Sequence, residues 1–305
     1  MAIRPPIDVS FKVEPRPVTD PVRFAYRQRS VAEMSDPPAG KQLTRSPQQY
    51  VYDLSDAERN ELTREFLGAR AILVRNRFAC FQIEGTDPFA NIARQVEREV
   101  FEDTWGNDSV TMKTEYGPYD ESSVFFVVMD TKAKVPAGVL RMIRNSPAGL
   151  KTIVDLDDII KSPIAPIAIA ADDVMRHHRI DDLDRCWDGA TAAIPRRYRR
   201  KLAAVHVQIL RVVGAAAIRE DIQHFVAVLD APVFRAARDV LGLPLVPLAG
   251  TPPFTHMDAP DNQAVYAHVS SLLGSTLTGN RKVGQKVRDC FAERAFPGLE
   301  IALER

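Results

Sequence analysis

The stretch AAIPRRYRRKLAAVHVQIL, Ala192 to Leu210, decides how the rest of the chain is read. An apolar run ends at Pro195, and a helical pattern then begins near Lys201 and extends to Arg219. Leu202, Val205, Ile209, Val212 and Ala216 form its inner face. Between strand and helix, Arg196, Arg197, Arg199, Arg200 and Lys201 put five cations into six residues. A helix N-terminus exposes unpaired N–H groups and the positive end of the helix dipole, so it favours phosphate. Cations at that point make a site suited to a pyrophosphate or phosphopantetheine group. A solvated basic turn is the competing reading of the same residues.

The remainder of the chain narrows the partners. The 305 residues carry 40 basic and 40 acidic side chains, so no global field draws the protein to nucleic acid or an anionic membrane. A nucleic-acid surface would interleave aromatics with its cations, and the knot holds only Tyr198. Cys80, Cys186 and Cys290 are far apart and odd in number, which speaks against a disulfide scaffold or zinc knuckle. The N-terminus MAIRPPIDVSFKVEPRP has no apolar signal core, and runs such as IAPIAIAA fall short of the ~20 residues a membrane span needs. A cytoplasmic protein without a transmembrane segment is expected; the oligomeric state is not indicated.

Eight of the 22 prolines fall in the first fifty residues, so 1–54 is expected to be an extended arm. A helix follows from Ser55, whose pairing with Glu58 forms a capping box. Residues 71–83 read as a strand, and 87–105 as a helix capped by Asp87 with Pro88 in its first turn. The apolar segments 122–130 and 138–146 read as a hairpin of buried strands. Prolines break up 147–186, which is expected to be an insertion of helix and loop. Short strand, helix, strand and helix then alternate through 186–195, 201–219, 223–230 and 231–242, with further strands at 243–250 and 262–270. A strand–helix–strand unit of this length implies a parallel pair with a right-handed crossover. The fold expected is α/β (α+β): one domain over 55–280, with a mixed central sheet of about seven strands flanked by helices. Residues 281–305 are expected to pack on it as a C-terminal helix.

This order resembles the GNAT acyltransferase superfamily, in which a splayed central strand leads into a phosphate-cradling turn and a long helix. WDGATAAIP, RRYRR, KLAAVHVQILRVVGAAAIRE, QHFVAVLD and APVFRAARDVLG correspond to that series. The family's turn, [RQ]-x-x-G-x-[GA], appears here with its arginines and without its glycines, which shifts the expected phosphate contacts toward side chains. Residues 100–143 further resemble the acyl-homoserine-lactone synthases and related N-acyl amino acid synthases. Those proteins carry an aromatic-rich helix end, a carboxylate group, and G-x-x-R on the following strand. Phe101, Trp105, Glu115, Asp120, Gly138 and Arg141 fall on the pattern. Gly117 stands at the middle carboxylate position and the Phe–Trp spacing is shorter. Both departures count against a homoserine-lactone product and against S-adenosylmethionine as substrate.

The resemblance implies N-acyl transfer from acyl-CoA or an acyl-phosphopantetheine carrier to a small, amino-acid-like amine, with an acyl carrier protein as possible partner. Such a reaction needs a neutral amine, a polarised carbonyl and a protonated leaving thiol. Glu115 is the candidate base and Asp120 the candidate grip on an ammonium; both are equally readable as solvated residues flanking a GPY turn. Arg141, in an apolar strand, needs a carboxylate partner, and Asp120 is a candidate. The pair would be structural or would hold a substrate carboxylate. Gly189, Ala190 and Thr191 are the candidate oxyanion wall, with Gly189 suited to a bulge. Phe101, Trp105 and Trp187 are candidates for the acceptor pocket, or for core. Tyr198 is a candidate acid for the thiolate, because the later helix offers Phe234 and no tyrosine. No metal is expected: the adjacent histidines of RHHR (176–179), flanked by arginines, read as surface, and His206 and His224 lack ligand-spaced carboxylates. The alternative to an enzyme is a non-catalytic acyl-CoA-binding or regulatory protein on the same fold.

Overall fold

In a computed structural model, residues 50–69, 77–158, 170–240, 242–256 and 259–272 are described. All of them belong to one compact unit, Thr44–Arg305. The arm over 1–49, residues 71–76 of the first strand, 159–169 within the insertion, and the helix expected at 281–305 lie outside the described residues.

The chain runs α1 (Asp56–Ala69), β1 (Phe78–Glu84), α2 (Ala90–Trp105), α3 (Ser109–Tyr116), β2 (Ser123–Asp130) and β3 (Val135–Arg144). It continues α4 (Lys151–Asp158), α5 (Ala171–His178), β4 (Cys186–Ala193), α6 (Leu202–Arg219), β5 (His224–Leu229) and α7 (Ala231–Arg235). The last strands are β6 (Val246–Pro247), β7 (Phe254–His256) and β8 (Ala259–His268). The strands form an eight-stranded sheet in the order β1-β2-β3-β4-β5-β8-β6, with β7 paired to β8. This is the expected mixed sheet with one more strand: β4 and β5 are parallel, and every other pair is antiparallel.

Each local feature has a sequence cause. Ser55 and Glu58 close the capping box ahead of α1, the Glu58 carboxylate accepting from the Ser55 N–H at 2.9 Å. Asp87 accepts from the Phe89 N–H at 2.8 Å, one turn before α2 begins. β2 is buried at every position, as its unbroken apolar run requires. The segment 243–250 forms only a two-residue strand and a 3-10 turn, because Pro244 and Pro247 withhold ladder donors. The helix expected over 231–242 is α-helical only to Arg235 and widens into a π turn over Ala236–Val240.

Both faces of the sheet are covered. α1 and α2 pack Phe66, Ile92, Val96 and Val100 on Phe125 and Val127 of β2. On the opposite face α6 packs Val205 and Ile209 on Val124, Phe126 and Trp187. α4 and α5 lay Ile153, Leu156 and Val174 over Val226, Ala264 and Tyr266. This architecture, with its one parallel pair followed by a basic turn and a long helix, is GNAT-like.

Gly138 sets how closely α6 approaches β3. A Cβ there would lie 2.6 Å from Val205 Cγ1 and 3.3 Å from Ile194 Cγ1. Gly138→Ala is therefore expected to lower stability by about 1–3 kcal/mol in urea unfolding, and adding Val205→Ala should recover part of that loss.

Candidate active site

β4 and β5 pair only from Cys186–Gly189 against His224–Ala227. Beyond that point β4 continues to Ala193 bonded to β3 alone, and β5 continues to Leu229 bonded to β8 alone. The two strands thus part, and the peptide groups on their facing edges have no ladder partner. The fork begins at a bulge. Arg141 lies opposite Thr191 and Met142 opposite Gly189, leaving Ala190 as the extra residue. The bulge falls within the expected Gly189–Thr191 stretch, with Ala190 rather than Gly189 as its extra residue, and Gly189 has a different reason. A Cβ at Gly189 would lie 2.7 Å from the Phe225 ring, so only glycine admits that ring against the strand.

A groove of about 230 Å³ lies over the fork. Gly189, Ala190 and Thr191 line it, as do Phe101 and Trp105 at the end of α2 and Tyr116 at the end of α3. Polar groups come from Lys151, Thr152 and Asp155 of α4, Asp188 of β4, Asp230, His256 and Asn262. Asp188 is fully buried. One of its carboxylate oxygens accepts from the Thr152 N–H at 2.5 Å and the other from the Thr152 hydroxyl at 2.8 Å. Burial pushes its carboxyl up to about 7, the Thr152 bonds offsetting only part of that effect.

Beside it, burial works against the charge of Lys151, but the carboxylates of Asp155 and Glu115 outweigh burial and hold the ammonium above its ordinary range. Lys151 Nζ donates to Asp155 at 2.9 and 3.0 Å and to Glu115 at 3.0 Å. It also lies 5.3 Å from the Tyr116 ring centroid. His256 Nε2 sits 3.7 Å from Asp155 Oδ2, and burial holds the imidazole below its usual value. A carboxyl that exchanges protons near neutrality, next to unpaired backbone groups, is equipped for proton transfer beside a polarised carbonyl.

Behind the groove wall is a buried charge cluster. Arg141 is fully buried and donates to both carboxylate oxygens of Glu97, at 3.1 and 2.6 Å. It also donates to the Tyr52 hydroxyl at 2.9 Å. Thr191 Oγ1 donates to Glu97 as well. Asp120 Oδ1 accepts from Arg94 at 2.8 Å and from Tyr52 at 3.0 Å. Arg94 in turn donates to the Gly85 carbonyl at 2.7 Å.

The structure distributes the sequence candidates unevenly. Phe101 and Trp105 line the groove; Trp187 lies on the other face of β4, packed on Phe126 with ring centroids 5.8 Å apart. Glu115 does not line the groove; it is bonded to Lys151, which does. Asp120 is no solvated turn residue: it is fully buried, and its close partner is Arg94. The expected Arg141–Asp120 ion pair is present, with nearest atoms 3.7 Å apart, and Glu97 is the closer, bidentate partner that the sequence did not indicate. Neither Asp120 nor Arg141 touches the groove.

The missed residues had a signal. Glu97 lies four residues from both Ala93 and Phe101, on the apolar stripe of α2. Asp188 is a lone carboxylate in a strand, the argument already applied to Arg141. Lys151 and Thr152 had none, because prolines obscured their helix.

The basic knot forms a 3-10 turn over Arg196–Lys201. Arg196 pairs with Asp103 at 2.6 Å, Arg199 approaches the same carboxylate at 3.9 Å, and Arg197 approaches Glu99 at 3.9 Å. Two carboxylates thus face five cations, and the exposed surplus remains positive. Tyr198 is buried and donates to Asp130 at 3.1 Å, a carboxylate also held by Arg77 at 2.7 Å. Burial and Asp130 push the Tyr198 hydroxyl up to about 12. It anchors the turn and does not face the groove. Burial also pushes the Cys80 and Cys186 thiols well up, which leaves them unreactive. Among the described residues no group of three or more His, Cys, Asp or Glu is placed to hold a metal. No helix among them is long and apolar enough to cross a membrane.

No protein-family model matches the chain, and no curated protein matches it. Among solved structures it is similar to BjaI, a CoA-dependent acyl-homoserine lactone synthase, at 13% identity over 72% of this chain and 89% of that one, with a TM-score of 0.40. It is also similar to FeeM, an N-acyl amino acid synthase from uncultured soil microbes, at 15% identity over 66% and 96%, with a TM-score of 0.45. A third likeness is to a spermidine N-acetyltransferase from Vibrio cholerae, at 11% identity over 65% and 98%, with a TM-score of 0.39. At these values the residues of the site stand on their own geometry.

Glu97→Ala would strand the Arg141 guanidinium without its carboxylate. The expected loss is about 3–5 kcal/mol in urea unfolding, several times that of an exposed pair such as Arg196–Asp103.

Proposed function

We propose that the groove carries out N-acyl transfer from an acyl thioester to a small amine. What supports this most is Asp188, a buried carboxyl with a proton affinity near neutrality, set two residues before Ala190, the extra residue of the bulge where β4 leaves β5. The donor's phosphates would rest on the Arg196–Lys201 turn, which follows β4 within three residues of the groove. Its extended amide-bearing arm would lie in the fork, where unpaired peptide groups of β4 and β5 can bond it as a strand would. Acyl-CoA and an acyl carrier protein both present that phosphate and arm, and the surplus cations suit either.

The amine enters as an ammonium and loses one proton to solvent. Its nitrogen attacks the thioester carbonyl, forming the C–N bond, while backbone N–H groups at the bulge stabilise the oxyanion. Asp188 takes the second proton from nitrogen; the C–S bond breaks, and the same proton passes from Asp188 to the departing sulfur. Products are an amide and a free thiol, and Asp188 returns to its starting state. Tyr198 has no part in this, since Asp130 already holds its hydroxyl. Arg141 positions the wall through Glu97 and Thr191, Asp120 acts through Tyr52 on Arg141, and Glu115 acts through Lys151.

Asp188→Asn is the test. Asparagine can keep the bonds to Thr152 but cannot take the proton, so thiol release with acyl-CoA and an amine panel should fall about 10²–10⁴-fold. The wild-type rate should rise as pH passes through about 7 and this limb should vanish in the variant. Because Asp188 is protonated more readily folded than unfolded (about 3.9), its ionisation lowers stability progressively from about pH 4 to 7. The variant should therefore be at least as stable as wild type at pH 8. Loss of fold together with activity, or retained activity, would sink the assignment.

Arg196→Ala with Arg199→Ala should weaken donor binding about tenfold and flatten its salt dependence, leaving the rate at saturating donor little changed. Unchanged donor affinity in calorimetry would remove the phosphate role of the turn.

A further inference from the structure

The charges that line the groove choose between classes of amine. Among the described residues, Lys151 is the only lysine or arginine that lines it. It is closed by two carboxylates, Asp155 and Glu115, and covered by the Tyr116 and Tyr119 rings at 5.3 and 5.8 Å. That set of three carries one net negative charge. Asp230 and Asp188 line the same groove, each adding a negative charge when ionised, and burial pushes the His256 imidazole below its usual value. The arginines of the basic turn do not line it.

A carboxylate on the acceptor would meet like charges and no available cation. A second ammonium would meet Asp155 and Asp230, and an alkyl stem would lie against Phe101, Trp105 and Val233. The faces of Phe101, Trp105 and Tyr116 also favour a cation near them.

We infer that the acceptor is a diamine-like cation lacking a free carboxylate, and that the Lys151–Asp155–Glu115 set enforces this choice by withholding the groove's single ammonium from acidic ligands. The inference rests on the acyl-transfer reading of the groove and sharpens it: an amino-acid acceptor, which the sequence suggests, would be disfavoured.

1,5-Diaminopentane and lysine differ only by the α-carboxylate, and 6-aminohexanoic acid keeps the carboxylate while lacking the second amine. Calorimetric titration of each into the full-length protein at pH 8 should give diaminopentane at least a tenfold tighter affinity than lysine, with 6-aminohexanoic acid weakest. Raising the salt concentration should narrow the gap. Asp155→Asn, checked for fold by circular dichroism, removes one groove charge and loosens Lys151, so the preference should shrink several-fold. Lysine binding as tightly as diaminopentane, no binding by any of the three, or an unchanged preference in Asp155→Asn would overturn the inference. Product analysis with acyl-CoA separates the two ideas. Preferential diamine binding without acylation would leave the selectivity standing and remove the transferase. Acylation that favours lysine or other free amino acids would keep the transferase and remove the selectivity.

Discussion

The bidentate bond between Arg141 and Glu97 is the constraint on which the groove depends. Both groups are fully excluded from water, where either charge alone would be costly to hold. Their attraction fixes α2 against β3, and the Thr191 hydroxyl brings β4 into the same contact just past the bulge. The fork therefore keeps its shape without help from β5, which turns away toward β8. A strand left unpaired on one edge would ordinarily sag or slip. Here the charge cluster behind it replaces the missing ladder.

That division explains why the two charged regions of the molecule behave so differently. The basic turn is exposed, its arginines only loosely tied to Asp103 and Glu99, and its field reaches outward. The cluster at Arg141 is sealed, with Arg141 Nε and Nη2 bonded to Glu97 and Tyr52, and its field is spent on holding helix to strand. Between them lies the groove, where neither rule applies. Asp188 is buried yet not ion-paired, so it stays close to the balance point between its two protonation states.

Much of the fold could be read in the sequence because its signals were local. The buried β2–β3 hairpin declared itself through an unbroken apolar run, and the β4–α6–β5 unit through a strand, a stop at Pro195 and a helical stripe. The site was less legible because it is assembled across distance. Phe101, Trp105 and the bulge region were within reach, since aromatics and a strand glycine are visible one segment at a time. The partners of Arg141 and Asp120 were not, because spacing along a chain does not tell which of several carboxylates meets which guanidinium. Lys151 and Thr152 sit in a stretch where prolines hide the helical period. The role of Asp188 depends on burial and on Thr152, 36 residues away in the chain.

The bond from Arg141 to the Tyr52 hydroxyl spans 89 residues, and the one from Tyr52 to Asp120 spans 68. The segment that leads into α1 is thus one of the pieces that closes the charge cluster. Contacts of such sequence separation pay for loop closure before they give anything back. Until Tyr52 docks, a folding chain holds a desolvated guanidinium with one fewer partner. The groove's wall is consequently tied to the segment ahead of α1, and a change at Tyr52 is felt at the fork.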